Sequence, residues 1–186
     1  MKGSFLISGS LPNILTIIRI LLLPFFAAAL IYGYYLYALI LFFIASVTDF
    51  LDGFIARKRK EITLLGTILD PVADKFLLTT SFIIMSVYDW IPMWLTITVI
   101  SRDLIVVTGW LILSFVTQMP KVVPSIFGKI ASALQFILIG LVLLSINLKG
   151  IFIIPVSFLI VIAIFTAISG ILYVYRGLKT AHIESA

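Results

Sequence analysis

Apolar residues run along this chain in six long blocks separated by short polar connections. The blocks are roughly Ile14–Ile31, Tyr37–Phe54, Gly66–Val87, Ile91–Val116, Ile126–Leu148 and Phe152–Tyr175. Each approaches the roughly 20 apolar residues that a helix needs to cross a bilayer. They are too long and too continuously apolar for barrel strands, and lipid tolerates only helices and closed barrels. The pattern predicts an all-α integral membrane protein, a six-transmembrane-helix bundle. Met1–Asn13 is mildly apolar and ends in Leu11-Pro12-Asn13, which predicts a short N-terminal interfacial segment. No repeat, low-complexity tract or linker interrupts the chain, so residues 1–186 are expected to form a single membrane domain.

Composition agrees with the pattern. Of 186 residues, 62% are hydrophobic and 11% charged, and the mean hydropathy is +1.27. Soluble domains are about half apolar and about a quarter charged. A water-soluble globule of this composition would expose large apolar patches, so a soluble enzyme is excluded. Six spans leave no length for a separate soluble domain. There is no Cys, hence no disulfide frame, thiolate metal site or Cys nucleophile. The single histidine, His182, is expected in a mobile tail, which leaves histidine catalysis and histidine-ligated zinc without support. The first apolar run lacks a small-x-small cleavage site and reads as a retained span.

Charge sets the orientation. The net charge is +5, and Lys2, the run Arg57–Lys60, Lys121, Arg176 and Lys179 fall on one side, against Lys149 on the other. The positive-inside rule puts both termini in the cytoplasm, as an even number of spans requires. The excess of cations then faces anionic lipid rather than nucleic acid. Tyr32, Tyr34, Tyr35, Tyr37, Trp90 and Trp94 lie near span ends on the far side, as interfacial aromatics do.

Four of the eight acidic residues, Asp49, Asp52, Asp70 and Asp74, stand at the end of the second block and the start of the third. Helix ends reach water, so one or two acids there would be unremarked. The spacing argues otherwise. Asp49, Asp52, Gly53 and Ala56 fall at i, i+3, i+4 and i+7; Gly66, Asp70 and Asp74 fall at i, i+4 and i+8. Each set shares one helix face, and the short connection makes the two helices antiparallel neighbours. Carboxylates gathered in one pocket raise one another's pKa, and a buried charge costs about 2.5–3.5 kcal/mol on insertion scales. Two divalent cations would balance four carboxylates, and oxygen-only ligation favours Mg²⁺ or Mn²⁺. Paired hard cations suit phosphoryl transfer. Gly53, Ala56 and Gly66 remove bulk where a ligand approaches the backbone, or else serve close helix packing. Arg57 suits a phosphate, while Lys58, Arg59 and Lys60 read as an anchor at the membrane surface.

The run from Asp49 to Asp74 resembles the signature D-x2-D-G-x2-A-R-x8-G-x3-D-x3-D of the CDP-alcohol phosphatidyltransferases. All eight specified positions and every spacer are met. Leu11-Pro-Asn13-Ile-Leu-Thr16-Ile-Ile-Arg19 is similar to the opening of the first span in the phosphatidylglycerophosphate-forming branch, and Ile100-Ser-Arg102-Asp103 and Gly128-Lys129 also fall where that branch has similar elements. The resemblance implies attack of an alcohol hydroxyl on the β-phosphorus of CDP-diacylglycerol, with CMP as leaving group. By resemblance, Asp49, Asp52, Asp70 and Asp74 hold two Mg²⁺ or Mn²⁺, and Asp74 also takes the hydroxyl proton. Gly53, Ala56, Arg57, Thr63 and Gly66 would line the donor site, with Pro12, Asn13 and Thr16 close to its phosphates or nucleotide. A homodimer in the bacterial inner membrane, working from the cytoplasmic side, is implied as well.

The acceptor is less clearly written. Arg102 and Asp103 lie mid-block and either neutralise one another or help form a cationic pocket for an acceptor phosphate with Lys121 and Lys129. Lys75 points about 100° away from Asp74 on a helix and reads as an anchor. The resemblance favours glycerol 3-phosphate as acceptor, with phosphatidylglycerol, giving cardiolipin, as the alternative. The rival from another class is an ion or proton transporter. It would spread polar groups through the bilayer depth, whereas the aspartates here cluster at one end.

Overall fold

The computed structural model describes residues 11–59, 64–116, 126–151 and 153–184, with side-chain surroundings over 17–48, 75–109, 126–151 and 153–177. Among the described residues the secondary structure is six α-helices and no strand: α1 Leu11–Ile31, α2 Tyr35–Arg59, α3 Leu64–Val87, α4 Met93–Val116, α5 Ile126–Asn147 and α6 Val156–Glu184. Every apolar block has become one helix.

The ends differ from the sequence expectation for local reasons. Helix α1 begins at Leu11, with Pro12 in the first turn, where a missing N–H costs nothing. Leu11–Asn13 is therefore helical, and the rest of the expected interfacial segment, residues 1–10, lies outside the described residues. Helix α2 continues through Arg57 and Arg59. Helices α4 and α6 start later than the apolar runs, because Pro92 and Pro155 stand just before them and their carbonyls accept the first N–H bonds, from Leu95 at 3.0 Å and Phe158 at 3.0 Å. Helix α6 runs on to Glu184, so His182 belongs to a helix rather than to a mobile tail.

Three connections close with the same device. After α1, Tyr34 N–H reaches the Ala29 carbonyl at 2.8 Å and Gly33 N–H the Leu30 carbonyl at 3.3 Å. After α3, Trp90 bonds Met85 at 2.8 Å and Asp89 bonds Ser86 at 3.1 Å; after α5, Gly150 bonds Ser145 at 2.8 Å and Lys149 bonds Ile146 at 3.1 Å. These are Schellman motifs, which satisfy the last helix carbonyls and need one residue in the left-handed region. That residue is Gly33 (φ 77°), Asp89 (φ 57°) and Lys149 (φ 55°) respectively.

Residues 1–80 and 81–186 form two compact units. In the first, α1 packs on α2. Phe26, Leu30, Ala38, Phe42 and Ala45 are buried, and the Phe26 and Phe42 rings stand 6.2 Å apart. Ala38 and Ala45, two turns apart, let the helix backbones approach closely. In the second, α6 packs on both α4 and α5, around Leu95, Val99, Leu138, Leu143 and Ile162. The Thr96 hydroxyl donates to the Phe82 carbonyl of α3 at 3.4 Å.

Helix α5 and the Val156–Gly177 stretch of α6 are each 22 residues long and apolar enough to cross a membrane. Only 33% and 28% of their most apolar windows are buried, so their apolar surface faces outward, as lipid allows and a soluble core does not. Phe25 on α1, Phe43 on α2 and Ile171 on α6 likewise present exposed apolar side chains.

Candidate functional site

The aspartate signature lies on α2 and α3. Asp49, Asp52, Gly53, Ala56 and Arg57 occupy the last three turns of α2; Gly66, Asp70 and Asp74 occupy the first three of α3. Unbroken helix through both stretches gives them the register that the spacing predicts: Asp49 and Asp52 one turn apart on α2, Asp70 and Asp74 one turn apart on α3. Their side chains lie outside the described residues, as do those of Pro12, Asn13 and Thr16 in α1, and Thr63 and Lys121 lie outside them altogether. Just before Asp49, the Thr48 hydroxyl donates within its own helix to the Ile44 and Ala45 carbonyls, both at 2.9 Å, and Ser46 to Phe42 at 2.8 Å. These hydroxyls are spent on the helix that carries the acids.

The described side chains assemble a second polar group, on α4, α5 and α6. Arg102 and Asp103 are both more than nine-tenths buried. Arg102 Nη1 donates to Asp103 Oδ1 at 2.7 Å, a charge-assisted bond between chain neighbours. Its Nη2 donates to the Ser169 hydroxyl of α6 at 2.9 Å. Arg102 Nε is buried and has no hydrogen-bond partner. Beside this pair the arginine stem lies against Gly170 of α6, where a Cβ would stand 3.4 Å from Arg102 Cγ, an ordinary contact.

The same face of α6 carries Thr166 and Tyr173, one turn to either side of Ser169. Thr166 accepts from Gln135 Nε2 of α5 at 3.1 Å, with both residues fully buried. The Tyr173 ring lies so close to α4 that a Cβ on Gly109 would come within 2.8 Å of it. Arg102 and Asp103 were singled out in the sequence, and they do pair. Ser169, Thr166, Gln135 and Tyr173 were not; the signal available was polar residues recurring at helical spacing within an otherwise apolar α6. Lys129 is exposed on the first turn of α5, and Lys75 is partly buried on α3.

The family profile of the CDP-alcohol phosphatidyltransferases matches residues 9–172. The chain is 35% identical over 150 residues to the CDP-diacylglycerol–glycerol-3-phosphate 3-phosphatidyltransferase of Bacillus subtilis, covering 73% of this chain and 77% of the relative. It is 31% identical over 178 residues to a probable phosphatidylglycerophosphate synthase of Mycobacterium tuberculosis, covering 92% and 83%. A Schizosaccharomyces pombe fusion protein named as a CMP-forming cardiolipin synthase and mitochondrial hydrolase is 34% identical over 149 residues, which span 72% of this chain and 25% of that one. The family profile takes in both the aspartate signature on α2 and α3 and the Arg102 pair on α4: the chain belongs to the CDP-alcohol phosphatidyltransferase family, and it is an enzyme.

Proposed function

We propose that this enzyme transfers the phosphatidyl group of CDP-diacylglycerol to glycerol 3-phosphate, releasing CMP and forming phosphatidylglycerophosphate, a step of phospholipid biosynthesis. The observation that carries the reading is the unbroken Asp49–Asp74 signature in a chain whose relatives include glycerol-3-phosphate phosphatidyltransferases. An acceptor hydroxyl oxygen bonds to the β-phosphorus, the bond to CMP breaks, and the hydroxyl proton passes to Asp74. An activated diphosphate donor needs no covalent enzyme nucleophile, in keeping with a chain without cysteine.

The donor set of Asp49, Asp52, Asp70 and Asp74 is carboxylate oxygen only, in pairs one helical turn apart, and it fits two hard divalent cations such as Mg²⁺ or Mn²⁺. Bound there, they would neutralise charge on the diphosphate and the attacking oxygen. Arg57, Gly53, Ala56, Thr63 and Gly66, with Pro12, Asn13 and Thr16, would receive the CDP-diacylglycerol headgroup. Arg102, Lys121 and Lys129 would take the acceptor phosphate. Six helices of 21–29 residues support the six-span bundle, a single domain over residues 1–186, with both termini and the aspartates on the cytoplasmic side of the inner membrane. A homodimer completes the reading.

Phosphatidylglycerol is the second candidate acceptor, because curated relatives at 30–34% identity are named as cardiolipin synthases. Membership of a transferase family argues against the ion-transporter alternative. The test is CMP release from CDP-diacylglycerol by the purified protein with Mg²⁺, comparing the two acceptors. Release with glycerol 3-phosphate alone is expected. Release with phosphatidylglycerol alone would move the enzyme to the cardiolipin-forming branch.

A further inference from the structure

The guanidinium of Arg102 is held from two sides. Asp103, its chain neighbour, supplies the counter-charge at 2.7 Å. Ser169, 67 residues away on another helix, accepts from the other terminal nitrogen at 2.9 Å. The following residue is Gly170, and a Cβ built there would lie in ordinary contact with the Arg102 stem, at 3.4 Å and 3.8 Å, so the arginine lies directly against α6.

We propose that Ser169 is a positioning residue for the acceptor: it fixes the Arg102 guanidinium so that the buried, unpartnered Nε–H is presented to a phosphate monoester. The inference rests on the reading of Arg102 as an acceptor-phosphate ligand. Three features carry it. A long arginine side chain loses much rotamer freedom on binding, and a site that orders it beforehand spares the ligand that cost. A hydroxyl orients the guanidinium without cancelling more of its charge, which a second carboxylate would do. And a Ser169 oxygen that accepts from Arg102 keeps its own proton to donate, so the hydroxyl and Nε–H remain two donors within one side-chain pair. A purely neutralising role for Arg102 would be complete with Asp103 alone. It gives no reason to bury a further N–H without a partner, which costs free energy in a dry interior.

The experiment is steady-state CMP release by the purified full-length protein in Mg²⁺, varying glycerol 3-phosphate and CDP-diacylglycerol in turn. Ser169→Ala raises the KM for glycerol 3-phosphate about tenfold, as the loss of one hydrogen bond to a charged group would, and leaves the donor KM unchanged. Ser169→Thr keeps the hydroxyl and restores the acceptor KM. Arg102→Ala raises the acceptor KM by itself, and adding Ser169→Ala then changes nothing further. If Arg102→Ala leaves the acceptor KM unchanged, the reading of Arg102 as a phosphate ligand fails. If Arg102→Ala raises it but Ser169→Ala shifts neither constant, or both equally, or threonine does not rescue, the positioning role alone is overturned. Should Ser169→Ala not accumulate as folded protein, Asp103→Asn is the second variant: an acceptor-selective rise supports the held guanidinium, and a parallel change in both constants refutes it.

Discussion

Asp74 stands one turn beyond Asp70 on α3, and the proposed reaction asks it to receive a proton as the acceptor oxygen bonds to phosphorus. A positioned base contributes typically 10²–10⁴-fold, so Asp74→Asn, which removes the basic carboxylate but keeps its size, should lower kcat by at least about a hundredfold. Donor affinity should hold, because the asparagine still fills the site and the proposed headgroup contacts, Arg57 among them, are left in place. Titrating CDP-diacylglycerol into the inactive variant and following its bound fraction checks both halves; near-normal turnover would remove Asp74 from the role of base. The proposed aspartate site was legible in the sequence because four costly charges at helical spacing have few structural excuses. Ser169 was not. Its partner lies 67 positions away, and a serine in an apolar run looks the same whether it bonds its own helix, as Ser46 does, or a distant arginine.

At the scale of the element, the helices were legible as apolar runs, and their ends were not. Where α4 and α6 begin depends on Pro92 and Pro155, and where α1, α3 and α5 end depends on a residue in the left-handed region. Only one of those three positions is the expected glycine; Asp89 and Lys149 fill the others, which no glycine rule would find. Their presence shows that the turn itself can be formed by an L-residue, at a backbone cost. At Gly33 an added Cβ would meet only the Tyr35 ring, at 3.8 Å, so any penalty there is conformational rather than steric. Gly33→Ala should therefore destabilise the protein by about 1–2 kcal/mol. Gly33→Asn should cost clearly less, because asparagine tolerates that region. Thermal unfolding of the two variants in the same detergent orders them. Equal midpoints would mean that the α1–α2 turn reshapes around the substitution.

For the whole molecule, α5 and α6 turn apolar surface outward, while the proposed metal ligands are the aspartates of α2 and α3. A chain of six helices with apolar faces followed from the apolar runs and from a composition 62% hydrophobic. Choice of acceptor did not, because cations near a phosphate and cations near a lipid headgroup look alike in sequence. If the aspartates require divalent cations, exhaustive chelation should abolish CMP release, and Mg²⁺ or Mn²⁺ should restore it while Ca²⁺, larger and looser in its coordination, should do so poorly. Full activity in chelator would overturn the metal assignment without touching the fold. Metal should also raise the melting temperature of the wild type, and do so less for an Asp49→Asn, Asp52→Asn double variant, because a ligand that binds only the folded state stabilises it.

If the six helices span the membrane as proposed, the Arg102–Asp103 pair also bears on how the chain enters the bilayer. A lone arginine entering lipid is expensive, but this one travels with its counter-charge on the very next residue. In that bundle α4 would enter as a nearly neutral segment, before α5 and α6 have been made. Arg102 Nη2 on α4 and Gln135 Nε2 on α5 find their acceptors in Ser169 and Thr166. Both lie on α6, which leaves the ribosome after α4 and α5, and its Val156–Gly177 stretch is apolar enough to cross a membrane. Synthesis therefore delivers the two hydroxyls after their partners, and in the proposed bundle a nascent chain stopped short of α6 would hold Arg102 and Gln135 with those bonds unmade.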